Sequence, residues 1–165
     1  METIRTHLLD TSALVKLVVD EDGSEKIRKY FMDKSVFWTT SLCFAEALGV
    51  LKVKHFYRKE ITKEKYLSAS EELVAHLRNG SISIEEVDIT QISTFNEVEK
   101  VSKSYSLDLA DAFQIITMKK GFPSSLQRDS ETIFITGDSD LAKAAINEGL
   151  RVWDCMSEDA PGKLS

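Results

Sequence analysis

Six acidic residues stand where apolar neighbours or element ends could bring them to one site. Asp10 closes the apolar run HLLD and is followed by Thr11 and Ser12. Asp138 holds the matching place after a second apolar run, in TIFITGDSDL, with Asp140 two residues further on. Glu46 is the only charge in SLCFAEALGVL, and Asp111 is the only charge in LADAFQIITM. Asp108 lies three residues before Asp111, on the same face of a helix. Simpler structural readings stand beside the chemical one: Asp10 and Asp108 as helix N-caps, and Asp140 as a favourable charge at a helix start. Glu46 and Asp111 fit such readings less well, since neither has a Lys or Arg three or four residues away. An unpaired carboxylate costs several kcal/mol if buried.

Carboxylates brought together repel and protonate unless a cation is present. Oxygen ligands, with His7 the one histidine close in sequence, select a hard divalent cation, Mg²⁺ or Mn²⁺, over Zn²⁺. A carboxylate-held Mg²⁺ with open positions suits phosphoryl chemistry, because it polarises a phosphate oxygen and activates water. No Ser-His-Asp or Cys-His arrangement offers a protein nucleophile.

The elements that must position these groups alternate. Strands are expected at Ile4 to Leu9, Val36 to Thr40, Ser81 to Val87, Glu131 to Thr136 and Leu150 to Cys155. Helices are expected at Ser12 to Val19, Ser24 to Lys34, Ser41 to about Arg58, Thr62 to Arg78, Thr90 to Ser104, Asp108 to Lys120 and Ser139 to Glu148. Phe122 to Ser130 reads as a loop. Strands separated by helices imply parallel pairing through right-handed crossovers, hence a three-layer α/β/α domain around a five-stranded parallel sheet. Its crevice lies at the carboxyl ends of the strands, where Asp10 and Asp138 fall. Residues 1–156 are expected to form one domain and 157–165 a flexible tail.

Composition narrows the classes. The 165 residues are 42% hydrophobic, enough for a core without disulfides or a structural metal. A formal charge of −6, from 21 basic and 27 acidic residues, counts against a basic, sequence-independent nucleic-acid binder. No apolar run reaches the roughly 20 residues of a membrane span, and the N-terminus lacks the shape of a signal peptide. Cys43 and Cys155 have no paired spacing, and Cys43 reads as a buried free thiol. A cytoplasmic setting is expected. The glycines match neither a dinucleotide fingerprint nor a phosphate-binding loop.

Taken together, LLDTSAL, the glutamate of FAEALGVL, DLADAFQI and ITGDSDL make the chain resemble the PIN-domain ribonucleases. Within them it is similar to the small VapC-like toxins of prokaryotic toxin–antitoxin pairs. The resemblance runs from about Ile4 to Val152. It implies catalytic and metal-binding roles for Asp10, Glu46, Asp111 and Asp138, with Asp108 and Asp140 as accessory ligands. Thr11, Ser12 and Thr136 match small polar positions near the metal or the scissile phosphate. It further implies Mg²⁺- or Mn²⁺-dependent hydrolysis of single-stranded RNA to products with a 5′-phosphate and a 3′-hydroxyl. A homodimer and a cognate antitoxin are the partners it implies. The chain departs from the family in having no basic residue within Gly137-Asp138-Ser139-Asp140. Its loop Phe122 to Ser130 is also longer than usual.

Lys52, Lys54, His55, Arg58, Lys59, Lys63 and Lys65 crowd around Phe56 and Tyr57. Such a strip could guide a single strand by charge and stacking; the alternative is a solvated helix end with cations near its C-terminus. Trp38 and Trp153 are expected in the core. Two other functions fit less well. A haloacid-dehalogenase-type phosphatase needs a second acid two residues after its nucleophile, where this chain has Ser12. A catalytically weak PIN-like module binding RNA or protein is disfavoured by the presence of all four core acids.

Overall fold

The computed structural model describes residues 5–33, 36–121 and 131–162. Five strands, β1 (Arg5–Leu9), β2 (Phe37–Thr39), β3 (Ser83–Ile84), β4 (Glu131–Thr136) and β5 (Val152–Asp154), form one sheet in the order β3-β2-β1-β4-β5. Every pairing is parallel, with Leu8 beside Trp38 and Phe134, and Ile135 between Leu9 and Trp153. Seven helices flank it among the described residues: α1 (Thr11–Val18), α2 (Ser24–Asp33), α3 (Ser41–Phe56), α4 (Lys63–Arg78), α5 (Ile92–Tyr105), α6 (Leu109–Lys120) and α7 (Ser139–Asn147).

Strand alternation divides the apolar residues between two cores. Leu9, Ile133, Ile135 and Trp153 face one side, where Leu14, Ile27, Leu51 and Leu73 of α1–α4 cover them. Leu8, Trp38 and Phe134 face the other, under Val98, Phe113 and Leu141 of α5–α7. Burying a side chain such as Phe134 or Ile135 contributes roughly 1.5–3 kcal/mol, so both faces must be covered. The expected three-layer α/β/α architecture is the one observed, with both tryptophans in the core.

One strand differs. Ser81 to Val87 alternates in sequence, yet only Ser83 and Ile84 pair. Both are exposed at the sheet edge against a three-residue β2, which offers little backbone to pair with. The loop expected at Phe122 to Ser130 lies outside the described residues.

Helices α1–α4 link β1, β2 and β3 on one face, whereas α5, α6 and α7 serve β4 and β5 on the other. The chain thus changes faces between the adjacent strands β1 and β4. Their carboxyl ends part there and leave a crevice.

Candidate active site

Asp10 follows β1 directly, and its backbone N–H donates to Ile135 O at 3.1 Å. It is 2% exposed and caps α1, its Oδ1 accepting from Ala13 N at 2.7 Å. Ser12 Oγ lies 2.7 and 2.9 Å from the two carboxylate oxygens, and Thr136 Oγ1 donates to Oδ2. Three donors therefore fix a carboxylate with about four lone-pair sites, leaving one direction open. Burial pushes the carboxyl up to about 6, against the lowering effect of the Thr136, Ala13 and Ser12 hydrogen bonds, and the Asp138 charge adds to the rise. Cap and buried charge are one and the same residue.

Five further carboxylates share with it the lining of a cleft of about 320 Å³: Glu21, Glu46, Asp108, Asp111 and Asp138. Asp108 caps α6, accepting from Asp111 N at 2.9 Å, and Asp138 caps α7, accepting from Asp140 N and Leu141 N at 2.8 and 3.0 Å. Burial, then the negative charges of Asp108, Asp10, Asp138 and Glu46, push Asp111 up to about 7. The amide of the fully buried Gln114 donates to Asp111 Oδ1 at 3.3 Å. Glu46 is exposed at the cleft mouth, so its apolar sequence window does not signify burial. α3 carries apolar residues on several faces, and Thr11 Oγ1 orients Glu46 by donating to Oε2 at 2.6 Å.

The small hydroxyls tie the two strand ends together. Gly137 N donates to Ser12 Oγ at 2.7 Å, and Asp138 N donates to Thr136 Oγ1 at 3.0 Å. Gly137 permits this closeness: a Cβ there would stand 2.9 Å from Lys16 Cε and 3.3 Å from Ser12 Oγ, so the lysine would have to shift. Asp140 is not part of the cleft lining. Its exposed carboxylate pairs with Lys143 at 3.6 Å, one turn along α7, because capping by Asp138 directs the next acid outward. His7 lies below the site, bonded through Nδ1 to Val36 O and through Nε2 to Tyr30 Oη.

One wall of the cleft is charged in a way the sequence reading missed. Lys16, buried in α1, donates to Glu21 Oε1 at 2.7 Å, and Lys54 lies 2.9 Å from Glu21 Oε2 and 2.8 Å from Glu60 Oε2. Glu21 and Lys54 both line the cleft. Burial acts to raise the Glu21 carboxyl, but the two ammonium groups outweigh it and hold the pKa below the ordinary value. The signal was available: Lys16 is the lone charge in TSALVKLVV, just as Glu46 and Asp111 are in their windows. The rest of the basic strip disperses. Lys52, Arg58 and Lys59 are exposed outside the cleft, while His55 and Phe56 pack on Tyr66.

Cys43 and Cys155 are buried free thiols, pushed up by burial to about 12 and about 11, so neither supplies a thiolate. Among the described residues no three carboxylate, imidazole or thiol side chains already converge as a closed metal cage. The donor chemistry nevertheless fits a hard divalent cation. Six carboxylates line one cleft, of which only Glu21 is paired with lysines among the described residues, and the raised Asp10 and Asp111 carboxyls report negative charge and burial without full compensation.

Comparison with known proteins agrees with the fold. The PIN domain family matches residues 7–147. The chain is also similar to the crystal structure of PAE2754 from Pyrobaculum aerophilum, at 20% identity and a TM-score of 0.60, covering 91% of this chain and 92% of that one. No curated protein matches significantly. Among the described residues, no helix is long and apolar enough to cross a membrane.

Proposed function

The chain belongs to the PIN domain family, whose members are usually nucleases and generally use divalent metal ions, and we propose that it hydrolyses single-stranded RNA with Mg²⁺ or Mn²⁺. The observation that carries this reading is the meeting of Asp10, Glu46, Asp108, Asp111 and Asp138 in one cleft. Asp10 and Asp111 would hold the metal, with Glu46, Asp138 and Asp108 completing its surroundings and Asp140 outside them. When bound, the cation supplies polarisation of the phosphate and a more acidic water.

The chain's own residues prepare that site. Ser12 and Thr136 fix Asp10 in a single orientation, with one lone-pair direction left for a ligand. Thr11 turns Glu46 toward the cleft. The caps at Asp108 and Asp138 aim the first turns of α6 and α7 at the cleft, so backbone dipoles offset part of the carboxylate repulsion. Lys52, Arg58 and Lys59, exposed outside the cleft, would contribute to RNA binding by long-range attraction only. In the cell the reading extends to a cytoplasmic, homodimeric toxin neutralised by a cognate antitoxin.

The test is cleavage of a 5′-labelled unstructured RNA. Mn²⁺ or Mg²⁺ should give fragments with 5′-phosphate and 3′-hydroxyl ends, and excess EDTA should stop the reaction. Asp10→Asn and Asp111→Asn should each lower the rate about 100-fold or more. RNA left intact by the wild-type protein with either metal would refute the proposal.

A further inference from the structure

The ladder Lys16–Glu21–Lys54–Glu60 reaches the cleft through Glu21 and Lys54, which both line it. Its two ends differ. Lys16 and Glu21 have side-chain exposures of 9% and 25%, and Glu21 spends one oxygen on Lys16 and the other on Lys54. Glu60 is 42% exposed and sits after a tight reversal. There Lys59 adopts a left-handed backbone (φ 57°) and Glu60 N donates to Lys54 O at 2.8 Å. That reversal folds a carboxylate back over the ammonium of Lys54.

Lys54 is the only lysine or arginine among the cleft-lining residues described. We propose that Lys54 is a phosphate-contacting residue for the RNA strand, held in the cleft by Glu21, and that Glu60 occupies its ammonium in the free protein as a stand-in for phosphate. This rests on reading the cleft as a ribonuclease site. The charges account for the division of labour. Glu21 is locked between two ammonium groups and would leave Lys16 unpaired if it moved, whereas Glu60, paired otherwise among the described residues only with the exposed Arg58 at 3.8 Å, can return to water at little cost. A phosphate arriving at Lys54 replaces one anionic oxygen by another and leaves the buried pair intact. Glu21 is thus a positioning residue, and Glu60 is a built-in competitor whose effect on binding is opposite in sign to that of Lys54.

The opposite signs make the test. Binding of a fluorescent twelve-nucleotide single-stranded RNA is followed by anisotropy across a salt series, with Mn²⁺ and in the Asp10→Asn background to prevent cutting. Lys54→Gln should weaken binding about tenfold and reduce the magnitude of the log–log salt slope by about 0.7. Glu60→Gln should tighten it roughly two- to fivefold. Lys143→Gln, an equal charge change on the surface of α7, sets the baseline for long-range effects. The proposal is overturned if Lys54→Gln matches Lys143→Gln, or if Glu60→Gln weakens binding or leaves it unchanged. Should Lys54→Gln fail to fold in a thermal melt, Glu60→Gln decides alone. Wild-type cleavage is scored separately. RNA left uncut with the binding pattern intact overturns the nuclease reading only, whereas cleavage with the pattern absent overturns the role of the ladder only.

Discussion

Asp10 is a carboxylate almost wholly buried at the floor of the cleft, and its titration links the site to stability. The unfolded chain loses this proton near pH 3.8 and the folded chain only near 6. Between those values the unfolded state binds fewer protons, so stability falls as pH rises, by about 3 kcal/mol from this group. Asp111, raised to about 7, carries the fall further toward neutrality. In EDTA the melting temperature of Asp10→Asn should exceed that of the wild type at pH 7.5 by several degrees, with the difference vanishing near pH 4. A difference that is constant across melts from pH 4 to 8 would contradict this. Thr136→Val, which keeps the shape but removes the hydroxyl between Asp10 and Asp138 N, should cost about 1–3 kcal/mol in urea unfolding.

Elements carry the site through their caps. Asp138 serves α7 with two backbone N–H partners, so Asp138→Ala should lower stability by about 1 kcal/mol while Asp138→Asn leaves it nearly unchanged. Both should abolish cleavage; equal stability losses for the two would remove the capping role. The double duty of these aspartates explains what was legible in the chain. Asp10, Asp111 and Asp138 could be found because strand ends and helix starts are marked by local patterning, and the parallel order brought those ends together. The Lys16–Glu21–Lys54 wall was harder to find, since its partners meet only when α1 packs on α3, and a lone lysine in an apolar helix does not announce its mate. Asp140 stands two residues from a cap and is directed outward by it, a difference of helical phase that spacing alone does not resolve. β3 shrank to two residues because alternation describes a strand's faces and not the partner it must pair with.

For the whole molecule, the charge of −6 is unevenly placed. Six carboxylates line the cleft, and only one of them, Glu21, belongs to a ladder whose two lysines balance its two glutamates. A divalent ion bound only by the folded state would therefore stabilise the entire domain. At about 100 times its dissociation constant it adds about 2.7 kcal/mol, a rise of roughly 5–10 °C in melting temperature for a chain of this length. Thermal melts with a Mn²⁺ titration should show that rise in the wild type, and most of it should be lost in Asp111→Asn. A wild-type melting temperature indifferent to millimolar Mn²⁺ would argue against a resident ion.

The order of the sheet also sets a schedule. β1, which Asp10 follows, is the central strand, but its neighbour β4 ends only at Thr136. Asp10 lacks its Thr136 partner, and the cleft its Asp138, until some 125 further residues have been translated, several seconds or more at about 5–20 residues per second. A growing chain cannot assemble this centre on its ribosome ahead of time. Products that stop before β4 lack Thr136 and Asp138, so under the proposed reading they would carry an incomplete site.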